Sequence, residues 1–162
     1  GRKYRADKVS HGFADGVSSL TLNLEKAYTE GAHVEKWQRN ITLDREYNWV
    51  EITEQYKLDS LQIEKDRLNG QVFDNQIILM AYGKPVVQKT GRILLQGGLV
   101  RLEYDAQYLS ASVEKVQMTD GIMKTQWKDN IYRIILRLND NYPMAKVKYR
   151  FTLSYCANRH NS

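Results

Sequence analysis

Alternation of apolar and polar residues is the feature that most constrains how this chain can fold. In the stretch 19–24, Leu20, Leu22 and Leu24 fall on one side and polar residues fall on the other. The stretch 146–155 repeats this pattern over a greater length. A two-residue period places successive side chains on opposite faces of a β-strand. Each stretch therefore predicts a strand with one buried face and one solvent-exposed face. We find no segment with the apolar stripe of an amphipathic helix.

Seven further strands are predicted by apolar runs that lie between turn residues. They cover residues 37–44, 49–58, 77–82, 91–96, 99–104, 113–118 and 131–138. The short connections between them favour antiparallel neighbours. The sequence therefore predicts an all-β fold, an antiparallel β-sandwich of two packed sheets of meandering hairpins, with little or no helix.

Turn residues fix the register of some of these strands. The Gly-Gly dipeptide at 97–98 predicts a tight hairpin that places Leu95 opposite Val100. The Asp-Gly dipeptide at 120–121 predicts a second tight turn, and residues 139–145 predict an exposed connection.

Length and composition limit the classes of protein that fit. A chain of 162 residues predicts a single β-sandwich domain over 1–162, with a disordered tail at 157–162. Its net charge of +5 suits an acidic partner without identifying one, and no apolar run is long enough for a membrane helix. Cys156 is the sole cysteine, which excludes an internal disulfide. Because the chain begins with Gly1 and lacks an initiator Met, we expect it to be a piece of a longer protein.

A charge pair interrupts one predicted apolar face. If residues 46–47 form the tip of a hairpin, Arg39 lies directly opposite Glu54. Opposed residues have Cβ atoms roughly 4.5–5.5 Å apart, which lets a guanidinium and a carboxylate meet in a hydrogen-bonded pair. We interpret Arg39 and Glu54 as a structural ion pair that fixes strand register; catalysis by the pair is the weaker alternative.

Residues scattered over most of the chain form an ordered pattern. They are 14–22, Ala27, Tyr28, 37–39, Ile41, 43–45, Val50, Ile52, Tyr56, Leu58, Asp120, Trp127 and 131–134. This pattern resembles the C-terminal β-sheet domain of the heparinase II/III-like polysaccharide lyases, a family often found in gut bacteria. Glu54 departs from it, because many relatives are expected to carry Asp there, which alters the reach toward Arg39.

The resemblance implies that the longer protein is a lyase that cleaves uronic-acid glycans, such as glycosaminoglycans, by β-elimination. That reaction needs a base for the C5 proton, an acid for the leaving oxygen, and a group that offsets the uronate charge. In the family, His and Tyr residues between an upstream α/α toroid and the first β layer do this work, and zinc is possible in the full-length protein. None of those motifs matches this chain, so the fragment is expected to be inactive, to hold no cofactor, and to support the upstream catalytic domain. A periplasmic or secreted location is implied as well.

Three histidines are weighed as site residues. His11 lies near the start of the chain and could contact glycan or the missing domain. His33 falls in a turn-like stretch, which predicts a solvated loop residue, and His160 falls in the polar tail. Their spacing matches no metal-binding motif, so no metal is predicted in this fragment.

A basic stripe on one predicted strand offers another contact. Lys146, Lys148 and Arg150 share its solvent-exposed face and could contact an acidic polysaccharide. Basic residues on such a face are also common because they increase solubility and discourage aggregation at sheet edges. Nucleic acid is disfavoured because aromatics such as Trp127 and Tyr149 fall at predicted core positions. The alternative function is a stand-alone carbohydrate-binding or protein-interaction β-sandwich module, which fold class alone does not exclude.

Overall fold

Most of the regular secondary structure in the described part of the chain is β-strand. A computed structural model describes residues 3–70, 74–89, 91–139 and 142–154. The strands are β1 (Asp7–Ala14), β2 (Val17–Asn23), β3 (Val34–Asp44), β4 (Trp49–Leu58), β5 (Gln76–Ala81), β6 (Val86–Gln88), β7 (Arg92–Leu95), β8 (Val100–Tyr104), β9 (Leu109–Gln117), β10 (Asn130–Leu138) and β11 (Met144–Leu153). Within these ranges, two short α-helices, α1 (Ser60–Leu68) and α2 (Gly121–Trp127), lie between strands.

The described strands form two antiparallel sheets, which confirms the predicted all-β sandwich. The larger sheet has eight strands in the order β1-β2-β3-β4-β11-β8-β7-β6, and the smaller has three in the order β5-β10-β9. The described residues divide into two compact units. The first unit comprises residues up to 75 together with the start of β11, and the second comprises residues 76–139 together with the end of β11.

The β3–β4 hairpin organises the first unit, and its register is the predicted one. Arg39 pairs with Glu54, and Leu43 pairs with Val50. At the tip, the buried carboxylate of Asp44 accepts a hydrogen bond from the backbone N–H of Tyr47 at 2.9 Å. Side chains of this type hold tight turns by bonding backbone groups a few residues on, so the turn chemistry and the strand pairing agree.

The core of the second unit comes from both sheets. Its most deeply buried side chains, each at most 1% exposed, are Ile93, Leu102, Leu109, Ile134 and Leu136. The first two belong to β7 and β8 of the larger sheet, and the others belong to β9 and β10 of the smaller. These apolar faces pack against each other and remove the side chains from water, which is the main favourable contribution to folding.

Tight turns in the second unit follow the chemistry of glycine. In the β7–β8 hairpin Leu95 pairs with Val100, as the Gly-Gly dipeptide predicts. Gly91, just before β7, has a φ of +69°, and a Cβ there would lie 2.5 Å from the carbonyl oxygen of Tyr104. Only glycine fits so close an approach with that backbone conformation.

Some predictions about this region were wrong. The Asp-Gly dipeptide at 120–121 does not form a tight turn: Asp120 is the N-cap of α2, and its Oδ1 accepts a hydrogen bond from the N–H of Met123 at 2.9 Å. Trp127 is 45% exposed and is therefore not a core residue. Both errors arise because a short helix with no buried residue leaves no apolar periodicity in the sequence.

Elements with weak patterning also escaped prediction. The strand β1 is exposed along nearly its whole length, and β6 has only 3 residues. In α1 only Ile63 is buried, and the helix is held at its start by Asp59, whose carboxylate accepts from the N–H groups of Leu61 and Gln62. Within the described part of the chain, neither helix is long and apolar enough to cross a membrane.

Candidate functional site

A buried carboxylate lies at the centre of the first unit. The side chain of Glu54 is only 1% exposed, yet both of its oxygens have hydrogen-bond donors. The Nε of Arg39 donates to Oε1 at 2.6 Å, and the Nε1 of Trp37 donates to Oε2 at 2.8 Å. The hydroxyl of Tyr149 lies 3.3 Å from Oε1. We call these four residues the Glu54 cluster.

Strand pairing assembles the Glu54 cluster. Trp37 and Arg39 are two residues apart on β3, so their side chains share the face on which Glu54 of β4 lies. Tyr149 comes from β11, the neighbour of β4 on its other side. Arg39 retains about one-third of its side-chain exposure, whereas Glu54 retains 1%. The guanidinium therefore lies between the buried carboxylate and the solvent.

The phenols around this carboxylate are held in their neutral form. Burial raises the pKa of Tyr149 far above its ordinary value, and the negative charge of Glu54 raises it further. Burial also raises the pKa values of Tyr56 and Tyr28. A phenol with a raised pKa donates a hydrogen bond and does not act as a base near neutral pH. The Glu54 cluster thus has the chemistry of a satisfied polar network.

Aromatic rings extend this cluster toward the surface. The ring of Trp37 stacks between Tyr56 and Tyr28, with centroid distances of 5.1 Å on each side. Tyr56 is buried, whereas Tyr28 is 37% exposed. Stacked rings at this separation add attraction beyond the area that they bury, so Tyr28 is a surface aromatic held on a rigid support.

Tyr28 lines a groove of about 530 Å³ in the first unit. The groove is bordered by the segment between β2 and β3, by the start of β3, and by residues near the amino terminus. Its lining residues are Lys3, Tyr4, Glu25, Lys26, Tyr28, Thr29, Glu30, His33, Val34, Glu35 and Asp59. We call this feature the Tyr28 groove.

Among the described residues that line the Tyr28 groove, carboxylates outnumber ammonium groups four to two. One of the two, Lys26, is already paired with Asp7 at 2.6 Å, and this contact lowers the pKa of Asp7 and raises that of Lys26. Glu35 is paired with Lys57, which lies outside the lining set. The groove therefore presents a net negative surface with abundant hydrogen-bond acceptors.

His33 is not the solvated loop residue that its sequence position predicts. Its Nε2 lies 2.8 Å from Oδ2 of Asp66 on α1, and its side chain is 21% exposed. The backbone of His33 has a φ of 51°, in the left-handed region. Non-glycine residues there cost energy unless surrounding contacts hold them. The contact with α1 supplies one such constraint and fixes one wall of the groove.

The other residues predicted from sequence are not brought together in this groove. His11 is exposed on β1, and Lys146 and Lys148 are exposed on β11. Lys148 lies 3.6 Å from Glu51, and Arg150 is half-buried. None of these four lines the Tyr28 groove. Cys156 and His160 lie outside the described residues.

Sequence reasoning missed the groove because no motif marks it. Its residues come from an irregular connection that contains two short 3-10 turns, Glu25–Ala27 and Glu30–Ala32. The one available signal was the concentration of acidic residues and an aromatic between two clear strands.

Comparisons with known proteins leave the resemblance without independent support. No family model matches the chain, and no curated protein sequence matches it. Within the described ranges, no cluster of three or more His, Cys, Asp or Glu side chains could hold a metal ion.

Proposed function

We propose that this chain is the C-terminal β-domain of a heparinase II/III-like polysaccharide lyase and that it supports the upstream catalytic domain. In this proposal the longer protein cleaves acidic, uronate-containing glycans in the periplasm or outside the cell, and any zinc belongs to that longer protein. The chain itself carries out no chemistry. Its task is to provide a folded surface against which the catalytic domain packs.

The observation that carries the proposal is a group of exposed apolar side chains in the second unit. Ile78 and Met80 alternate along one face of β5 and are 54% and 55% exposed. The ammonium of Lys128, the C-cap of α2, lies 5.9 Å from the ring centroid of Tyr82, which places the end of that helix beside the same surface. We call Ile78, Met80 and Tyr82 the apolar strip; α2 also carries exposed apolar side chains, namely Ile122, Met123 and Trp127.

An exposed group of this kind is unusual on a surface that faces only water. Scattered single apolar residues are normal on proteins, but clustered ones often mark a place where another protein surface packs. Tyr, Trp and Met are enriched at such contacts. The apolar strip therefore supports a docking role for the second unit, with the catalytic domain as its occupant.

The Glu54 cluster supports a structural role for the first unit. Both carboxylate oxygens already accept hydrogen bonds from the protein itself, and the carboxylate is closed off from solvent. A general base must reach the proton that it removes. Trp37 and Arg39, which carry part of the family resemblance, thus hold the buried carboxylate in place.

A matched pair of substitutions tests the docking role. Met80→Lys places a charge in the apolar strip, and Val9→Lys places one at an equally exposed position, also 55% exposed, on β1. In the longer protein, Met80→Lys is expected to lower the melting temperature while Val9→Lys does not. In the isolated chain neither change should have an effect, because both side chains are exposed. Equal melting temperatures for the two variants of the longer protein, or a reading frame that encodes no catalytic domain, would refute the proposal.

The alternative is a stand-alone carbohydrate-binding or protein-interaction module. The Tyr28 groove favours this reading, because it is a concave site with exposed aromatic side chains. The reading frame distinguishes the two functions, since a stand-alone module needs no catalytic partner.

A further inference from the structure

We propose that the Tyr28 groove is a binding site for an amino sugar that carries a free ammonium group. This inference goes beyond the support role, and it does not depend on the chain belonging to a lyase. It rests on the size of the groove, the aromatic rings in its wall and the sign of its charge.

The groove has the size of a small-ligand site. Its volume of about 530 Å³ lies within the range of roughly 300–1,000 Å³ that is typical of such sites. It also has the mixed lining that these sites share, with aromatic rings beside a few polar groups. One or two sugar rings are ligands of suitable size for this space.

Two aromatic side chains provide surfaces on which a ligand can pack. Tyr4 and Tyr28 line the groove and are 43% and 37% exposed. Tyr28 is held in place because one side of its ring stacks on Trp37, and the indole N–H of Trp37 in turn donates a hydrogen bond to Glu54. A fixed aromatic ring loses little conformational entropy on binding. Aromatic faces also attract cations. The ammonium of Lys3 already lies 5.5 Å from the ring centroid of Tyr4, so Tyr28 is the ring that suits a ligand with both an apolar face and an ammonium group.

Charge distinguishes this site from one for acidic glycans. Among the described lining residues, Lys26 is paired with Asp7 and Glu35 is paired with Lys57, which leaves the carboxylates of Glu25, Glu30 and Asp59 against the ammonium of Lys3. Sulfate and carboxylate groups would be repelled there, whereas an ammonium group would be attracted. An acidic substrate of the proposed lyase therefore does not fit this groove.

Donors in the same groove favour a sugar over a simple polyamine. Thr29, Lys3 and Tyr4 carry hydroxyl or ammonium donors, and the four carboxylates act as acceptors. A sugar ring presents hydroxyl groups that both donate and accept, so it can use both kinds of partner. A polyamine can use only the acceptors and the aromatic faces.

Isothermal titration calorimetry of the intact chain with four defined probes tests the proposal. The probes are a glucosamine tetramer, its fully N-acetylated counterpart, a heparin tetrasaccharide and spermine. We expect the glucosamine tetramer to bind more tightly than each of the other three. Tighter binding of heparin, of the N-acetylated tetramer or of spermine, or no binding of the glucosamine tetramer, would overturn it.

Two pairs of variants place the binding in the groove. Glu30→Gln removes an exposed carboxylate from the lining, and Glu46→Gln makes the same change at the exposed β3–β4 hairpin tip. Glu30→Gln should weaken binding of the glucosamine tetramer about three- to fivefold, in keeping with one exposed ionic contact, while Glu46→Gln should not. Tyr28→Phe should retain binding and Tyr28→Ala should lose it, with near-ultraviolet circular dichroism to verify the fold. Equal affinities within either pair would refute the assignment of binding to this groove.

Discussion

The Nε of Arg39 lies 2.6 Å from Oε1 of Glu54, yet the two side chains differ sharply in exposure, at 33% and 1%. The arginine can therefore keep part of its hydration, whereas the carboxylate depends on its protein partners. Removing one member of a buried pair leaves an uncompensated charge, which is far more costly than the pair itself is stabilising. This asymmetry gives the cluster its most direct test.

Arg39→Ala should destabilise the chain strongly. The substitution leaves the carboxylate of Glu54 buried without its cationic partner, and we expect a loss of about 3 kcal/mol in the free energy of unfolding, at the low end for buried pairs because Arg39 is partly exposed. Urea denaturation measures this loss. Arg45→Ala is the matched control, because Arg45 is an exposed residue at the end of the same hairpin. If both variants unfold at the urea concentration of the parent, the structural role of the pair is wrong.

Trp37→Phe should cost less but still measurably. Phenylalanine can keep part of the stacking with Tyr28 and Tyr56, but it lacks the N–H that donates to Glu54 at 2.8 Å. A hydrogen bond to a charged group contributes about 1.5–3 kcal/mol, so a loss in that range is expected in urea denaturation. Trp127→Phe, at a 45% exposed position, should change stability by less than about 0.5 kcal/mol. Similar losses for both variants would contradict the account.

Tyr149 should make the chain sensitive to alkali. Its folded-state pKa is raised by burial and by the charge of Glu54, above an unfolded value of about 10. The stability linked to this shift is fully present below the unfolded pKa and is lost as the pH rises toward the folded pKa. Urea denaturation at increasing pH should therefore show falling stability above about pH 10, with a shallower decline in Tyr149→Phe. Tyr47→Phe, at a 66% exposed position, should follow the parent, and equal slopes for all three would contradict the prediction.

Asp120→Ala tests the observed start of α2. The loss of the hydrogen bond from the N–H of Met123 should reduce stability by about 1 kcal/mol, the usual cost of removing an N-cap. Asp120→Asn is the control, because asparagine caps about as well and removes the same charge. Circular dichroism during thermal unfolding measures both. If Asp120→Asn lost as much stability as Asp120→Ala, charge and not capping would be the cause.

The sequence predicted the features that depend on strand periodicity. The opposition of Arg39 and Glu54 followed from one hairpin, because a turn position and a two-residue period determine every pair along two strands. Tyr149 was likewise predicted to face the core, and it is 2% exposed. Its contact with Glu54 was not predicted, because the residues are 95 positions apart and the neighbour of β4 could not be identified.

Features without periodicity could not be predicted. The Tyr28 groove forms where an irregular connection meets the start of β3 and Asp59 before α1. The contact of His33 with Asp66 likewise depends on where α1 packs, and that helix buries only Ile63. Such arrangements are decided by tertiary packing, on which local patterns carry little information.

Incubation of the purified chain with heparan sulfate and other uronate-containing glycans tests the central claim most directly. β-Elimination creates an unsaturated uronate that absorbs in the ultraviolet, so product formation can be followed continuously. The account predicts that absorbance stays at the level of a protein-free blank, because the chain supports the chemistry and does not perform it. A rise that scales with the concentration of the chain would contradict the account and would place catalytic groups within these residues.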